Sequence, residues 1–289
     1  MEGALAMALP LKVGQRLSIQ KNHNNILRWQ ANMPGGSWFA AEFDLNSFGV
    51  LVTDNNILAN KLGDILGATR GLSHTFLSDN VGFDVVTNLD FNPDFGFGTS
   101  STIISNIAMW ADVDPFKLLE KTFGGSGYDV ACARADSPIL YKKKDDDVEV
   151  RSVDFSPVFK DKLFFVYLEK KQNSADGIRA FKKHGKFNSG DISRISGITK
   201  ELVDTADFGL FKELITEHEL IMSKILGLPT VSSLYFSDCA GAVKSLGAWG
   251  GDFVLMASDL PEIELKHYLH KKGFDTVFGY DELVLGVKI

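Results

Sequence analysis

An α+β fold is predicted for this chain, with strands concentrated in its first half and helices in its second. Three observations carry that expectation. In 81–91, Val81, Phe83, Val85, Thr87, Leu89 and Phe91 occupy every second position, the period of a strand with one buried face. In 54–70, Ile57, Leu58, Leu62, Ile65 and Leu66 recur at helical spacing. From 174 to about 226 the pattern is again mainly helical, broken near 185–190 and near Asp204.

The elements follow in chain order. Residues 1–10 are apolar, with neither a basic flank nor a clear cleavage site, and read as a strand segment rather than a signal peptide. Residues 11–20 and 26–45 read as strands, joined by the turn formers Asn22, His23, Asn24 and Asn25 and by Pro34, Gly35 and Gly36. Asp54 or Asn55 is the N-cap of the first helix. After the strand at 81–91, a glycine-rich segment leads into a helix at 101–110. Asp114 and Pro115 open another helix that runs to Lys121, since proline suits an early helical position. Residues 124–133 form a second glycine-led turn into a helix. Segments 137–142 and 148–153 read as a hairpin, connected by the charge run 142–147 (KKKDDD) as a solvated turn. A short apolar strand is expected at 163–168. Strands at 243–246 and 253–257 flank a glycine turn, an amphipathic helix covers 262–272, and 283–289 is a closing strand. The domain boundary is expected near residue 155.

Composition narrows the function. The chain has 289 residues, 45% of them hydrophobic, enough for a sizeable core. A net charge of -7 argues against a nucleic-acid partner, which calls for a basic face. It does not exclude phosphate ligands, because backbone amides at a helix start bind anions without help from basic residues. No apolar run is long enough to span a membrane. Two cysteines, Cys132 and Cys239, make a disulfide scaffold implausible and fit a reducing cytoplasm. Cys132 reads as a buried structural thiol. His267 and His270 are three apart on a helix and read as a surface pair, since no further ligands are in sight. His23, His74, His184 and His218 show no ligand spacing.

Three glycine segments stand out. The first, 94–102 (DFGFGTSST), lies between a strand and a helix. Gly96 and Gly98 let the backbone curl around an anion, the helix dipole adds positive potential, and the hydroxyls of Thr99, Ser100 and Ser101 suit phosphate oxygens or magnesium. The plain alternative is a glycine turn with a serine N-cap. The second, 124–129 (GGSGYD), places Asp129 at a helix start, where positive potential should keep it ionised. Such a carboxylate can accept or orient a hydroxyl proton, or be an ordinary helix-start residue. The third, 244–253 (KSLGAWGGDF), is either a tight hairpin or a turn through which backbone approaches a ligand.

Taken together, order and spacing resemble the GHMP kinases: galactokinase, homoserine kinase, mevalonate kinase and phosphomevalonate kinase. GFGTSST stands where that family has roughly GLGSSA. SGYD stands for its SG-x-D, and KSLGAWGGD for its K-x-x-GAGGGG. The opening EGALAMALPLKVGQ is similar to the strand that follows the family's first motif, so the resemblance covers essentially the whole chain. GGSGYDVACA looks nearest to mevalonate and phosphomevalonate kinases.

The resemblance implies a two-domain fold, with a ribosomal-protein-S5-domain-2-like ATP-binding part at 1–155, its first strand missing, and a ferredoxin-like, helix-rich part at 156–289. It implies that Gly96, Phe97, Gly98, Thr99, Ser100, Ser101 and Thr102 cradle ATP, with Ser100 or Ser101 on Mg2+. Asp129 corresponds to the catalytic aspartate. Glu120 corresponds to the magnesium-binding glutamate if two residues are deleted before Ser126; otherwise it is a solvent-facing helix residue. Ser126, Gly127, Gly247, Ala248, Gly250 and Gly251 would border phosphates and acceptor. The implied partner is a small-molecule acceptor, and the implied assembly a monomer or homodimer. Three departures stand against this. The family's first motif, roughly PGK-x-x-L-x-GE, would lie upstream of residue 1; Trp249 and Asp252 replace glycines; and Phe97 replaces leucine.

Overall fold

A computed structural model of the chain describes residues 3–79, 81–145, 147–169, 181, 186–247, 249 and 252–286. The fold is mixed α and β, and the chain divides into two compact units, Val13–Arg134 and Met1–Lys12 with Ala135–Ile289.

The unit Val13–Arg134 is built on a five-stranded sheet. Its strands are β2 (Gln15–Asn22), β3 (Ile26–Met33), β4 (Gly36–Asp44), β5 (Val50–Thr53) and β6 (Gly82–Leu89), in the order β2-β6-β3-β4-β5. β3 and β6 run parallel and the other neighbours antiparallel. Alternation sets one face inward: Leu27, Trp29 and Ala31 on β3, Phe39, Ala41 and Phe43 on β4, Val85, Thr87 and Leu89 on β6 are all buried. Helices α1 (Asn56–Leu72) and α2 (Thr99–Ala111) join that core through Leu62, Ile65, Leu66, Ile104 and Ile107. Burying a side chain such as Phe43 or Leu66 contributes roughly 2 kcal/mol. Asn55 is the cap of α1, accepting from the Leu58 amide at 3.1 Å. Asp54 instead accepts from Ala40 N on β4 at 2.9 Å, so the two candidates divide the work. Two short helices, α3 (Pro115–Lys121) and α4 (Tyr128–Ala133), complete the unit, and both pack on α2.

The other unit holds two sheets. β1 (Ala6–Ala8), β7 (Ile139–Lys144) and β8 (Asp147–Ser152) form the first, in the order β1-β7-β8. β10 (Ala242–Ser245), β11 (Phe253–Ala257), β9 (Leu163–Tyr167) and β12 (Val277–Gly279) form the second, antiparallel throughout, in that spatial order. Every residue of β9 is buried, as its continuous apolar run requires. The helices are α5 (Ser189–Asp204), α6 (Phe208–Leu226), α7 (Val231–Tyr235), α8 (Glu262–Lys271) and α9 (Tyr280–Leu283). Asn188 and Asp191 make a capping box on α5, and Gly227 ends α6 at φ 65°. No helix among the described residues is long and apolar enough to cross a membrane.

Several boundaries differ from expectation. The expected division lay after residue 155; the compact units part after Arg134, and β1 goes with the later elements. The cause is pairing: β1 lies on β7, and Leu5 exchanges hydrogen bonds with Ser196 and Thr199 of α5. The charge run is not a free turn but the end of a hairpin, with strands reaching Lys144 and Asp147. The register sets Lys142 opposite Glu149, a favourable cross-strand pair. The closing strand expected at 283–289 is instead the end of α9, followed by a single bridge from Val284 to Leu11; residues 287–289 lie outside the described residues. Most of the helical pattern at 174–185 also lies outside them. The edge strand β5 had no reading in the sequence, because four residues carry too short an alternation.

Candidate functional site

The first glycine segment forms a tight, well-tethered loop into α2. Asn92 caps a 3₁₀ turn at Pro93–Phe95 by accepting from Asp94 N at 2.9 Å. Gly96 then takes φ 70° and Gly98 φ 90°, left-handed conformations that favour glycine. At Gly98 the space is closed as well: a Cβ would sit 2.6 Å from Ser101 Oγ. Phe97 packs edge-on against Phe91 and Phe95, so the residue that replaces leucine anchors the loop. α2 starts at Thr99, two residues before the expected start. A helix leaves its first amides without intrahelical partners, and Gly98 offers no side-chain cap. Those amides and the positive end of a 13-residue helix suit an anion.

The hydroxyls divide into two sets. Ser101 is buried and donates to Gly98 O at 2.8 Å, while Thr102 engages Gln15 Oε1 at 2.9 Å and Gly98 O at 3.1 Å. Asn106 adds a bond to Gln15 O at 2.9 Å. Ser101 and Thr102 therefore hold the loop onto α2 and α2 onto β2. Ser100 is exposed and Thr99 half-buried, so their hydroxyls are the ones left for a ligand.

The second segment follows the same logic with a shorter helix. Asp114 caps α3 through Phe116 N at 2.8 Å. Glu120 is exposed beside the buried Leu118 and Leu119, a position that fits a solvent-facing helix residue and equally leaves the carboxylate available. Gly124, Gly125 and Gly127 all have positive φ and turn the chain into α4. Val130 and Ala131 are buried, which fixes α4 to the core. Asp129 is an exposed residue, yet its carboxyl group is hemmed in by protein atoms. That crowding raises its pKa above the ordinary carboxyl value, and a hydrogen bond from Tyr128 only partly opposes it. The direction is opposite to the one that positive potential at the helix start would give, since a six-residue helix carries little dipole and desolvation is the larger effect. Cys132, one turn on, is pushed up to about 12 by burial and then by the Asp129 charge, so it is an inert thiol.

The third segment belongs to the other unit and joins the antiparallel neighbours β10 and β11. Leu246 N donates to Phe253 O at 3.1 Å and closes its base. Gly247 is exposed with φ 58°, whereas Ala248, Gly250 and Gly251 lie outside the described residues. Trp249 is half-buried, and its ring N–H is enclosed without a partner among the described residues. Among the described residues no group of three His, Cys, Asp or Glu could hold a metal ion. Magnesium takes mostly oxygen from water and phosphate, and the Ser100 hydroxyl is an oxygen donor of the kind it accepts.

No protein-family model matches the chain, and no curated protein does. Solved structures do match. The L. major mevalonate kinase in complex with R-mevalonate aligns with a TM-score of 0.68 over 99% of this chain and 91% of its own, at 14% identity. The Streptococcus pneumoniae phosphomevalonate kinase in complex with phosphomevalonate and AMPPNP aligns at 0.66 over 96% and 94%, with 17% identity. The chain has the GHMP-kinase fold. The Lactococcus lactis galactokinase complexed with galactose aligns as well, at 0.62 over 99% and 89%, with 10% identity. These GHMP kinases act on different acceptors, so the shared fold does not select one.

Proposed function

We infer that this chain is an ATP-dependent small-molecule kinase that transfers the γ-phosphoryl group to mevalonate or phosphomevalonate. The observation that carries the reading is the pairing, within one compact unit, of a two-glycine loop opening α2 with a crowded carboxylate on α4, the helix packed against α2. The amides of Thr99, Ser100 and Ser101 would receive the triphosphate. Ser100 and Glu120 would contribute to holding magnesium, which when bound offsets phosphate charge. In transfer to a hydroxyl, the bond from the γ-phosphorus to the bridging oxygen breaks, a bond to the acceptor oxygen forms, and the acceptor proton passes to Asp129. A carboxylate with a raised pKa is a stronger base for that proton, provided the pH keeps it ionised.

The test is ADP release by the purified chain with ATP, magnesium and a panel of acceptors. Release that depends on mevalonate or phosphomevalonate supports the reading. The galactokinase likeness supports a second acceptor class, a sugar hydroxyl, and homoserine completes the panel as a further hydroxyl acceptor. Nucleotide binding without release for any acceptor, also in a chain extended upstream, would leave a catalytically silent nucleotide-binding relative.

A further inference from the structure

The unit Val13–Arg134 contains a cavity that the proposed kinase site does not use. Its volume is about 230 Å³, and it lies where β2, β6 and the ends of α1 and α2 come together. Lys21 on β2 lines it, and so does Phe83, its partner across the strand pair on β6. Ser73, the C-cap of α1, and Trp110 and Ala111, the last residues of α2, line it as well. The segment 73–79 completes the lining, with Thr75, Ser78 and Asp79 exposed and Phe76 and Leu77 buried. α2 has 13 residues, so at about 1.5 Å per residue its glycine-loop end is roughly 18 Å away.

The lining is held in place before any ligand arrives. Arg70, in the last turn of α1, donates through Nε to Phe76 O at 3.0 Å, through Nη2 to Leu77 O at 2.5 Å and through Nη1 to Asn46 O at 3.0 Å. Its guanidinium lies 4.2 Å over the Phe48 ring. These bonds keep Leu77 at φ 54°, a left-handed backbone that leucine does not adopt unaided. Trp110 packs edge-on against Phe76 at 4.9 Å and against Phe83 at 5.8 Å, so the aromatic side is fixed too. The charges are less settled. Lys21 and Asp79 are both exposed, and among the described residues neither enters an ion pair, with each other or with any other group. Asp79 Oδ1 accepts from Ser78 Oγ at 3.1 Å. The ends of α1 and α2 add partial negative charge from their last carbonyls, and ring faces attract cations. An anion alone would meet Asp79 and those carbonyls, and a cation alone would meet Lys21. A ligand that carries both charges satisfies both sides.

We propose that this cavity is a binding site for a small zwitterion, a free amino acid, with its carboxylate on Lys21 and its ammonium on Asp79 and the carbonyl ends of α1 and α2. The Ser73 and Thr75 hydroxyls, 3.3 Å apart, are further acceptors for the ammonium. The volume suits a small molecule rather than a chain. The site lies within one compact unit and does not depend on the kinase reading.

The intact chain, with fluorotryptophan in place of its four tryptophans, is followed by fluorine NMR at constant ionic strength. It is titrated with L-alanine and separately with the two halves of that molecule, propionate and ethylammonium. Trp110→Phe assigns the Trp110 signal. The expected result is a saturable shift of that signal with L-alanine, at concentrations where neither half moves it. Lys21→Gln and Asp79→Asn each weaken binding about fivefold, the upper end for an exposed charge pair. Both residues are exposed, so both variants keep the fold. Asp129→Ala leaves the alanine response unchanged, which separates this site from the fate of the kinase proposal. An unmoved Trp110 signal overturns the proposal. So does a half-molecule that binds as tightly as L-alanine, an affinity unchanged in Lys21→Gln or in Asp79→Asn, or a response lost in Asp129→Ala.

Discussion

The loop at the start of α2 and the head of β10 handle polar groups in opposite ways. In the loop, donors come from backbone, the side chains of 96–102 are uncharged, and glycine supplies the curvature. At β10, side-chain charges are enclosed: Glu219 accepts from Ser245 twice, and Lys244 donates to Ser245 O. The first arrangement costs little to maintain in the absence of a ligand, because exposed amides are solvated. The second holds a desolvated amine whose charge burial disfavours and Glu219 favours, an arrangement a protein retains only where the charge is neutralised or used.

The sharpest way to break the comparison is Asp129→Ala. Removing a general base costs about 10²–10⁴-fold in turnover, read as ADP release, while nucleotide affinity stays near wild type. Wild-type turnover would remove Asp129 from the mechanism. The pH dependence has a defined sign. A carboxyl whose folded pKa is raised is penalised in its ionised form. Stability is therefore lost as pH rises through the folded value, and the difference vanishes below the unfolded one. Asp129→Asn should raise the melting temperature near neutral pH and not at acid pH, whereas wild-type turnover should fall as pH drops through the raised value.

Glu219→Ala comes next. It strands two donors of Ser245 and leaves Lys244 without its opposing charge, a loss on the order of 3 kcal/mol in urea unfolding. A smaller loss than that of a surface mutation would mean the edge is capped some other way. Gly98→Ala should cost about 1–2 kcal/mol in stability from the left-handed backbone, plus crowding on Ser101. It should also raise the ATP Kd, measured by titration calorimetry; an unchanged Kd would take the loop out of nucleotide binding. Asn55→Ala should cost about 1 kcal/mol through loss of the α1 cap, with ADP release unchanged.

Much of the α2 site was legible because its signal is local. Gly96 and Gly98 are demanded by positive φ, and a strand before and a helix after are visible as changes of period. Hydroxyl roles were less legible: Ser100 and Ser101 look alike in sequence, and only the fold turns Ser101 inward onto Gly98 O. The crowding that raises the Asp129 pKa left no trace in the sequence, because it is a sum over neighbours distant in the chain. His218 gave almost no signal, and Lys244 stood out only as the first residue of the third glycine segment. Glu219 falls in the apolar rhythm of Phe211, Leu214 and Ile215, the one hint that α6 buries a carboxylate.

By itself, then, the amino-acid order determined the α+β class, most helix and strand positions and the two glycine turns of the first unit. Period, caps and backbone freedom are properties of a few consecutive residues. The tertiary structure alone decided where the units divide, which hydroxyls remain free, the direction in which the Asp129 pKa moves and that Glu219 caps β10 at Ser245. Each of these depends on desolvation and on contacts between segments far apart in the chain, which no local pattern encodes.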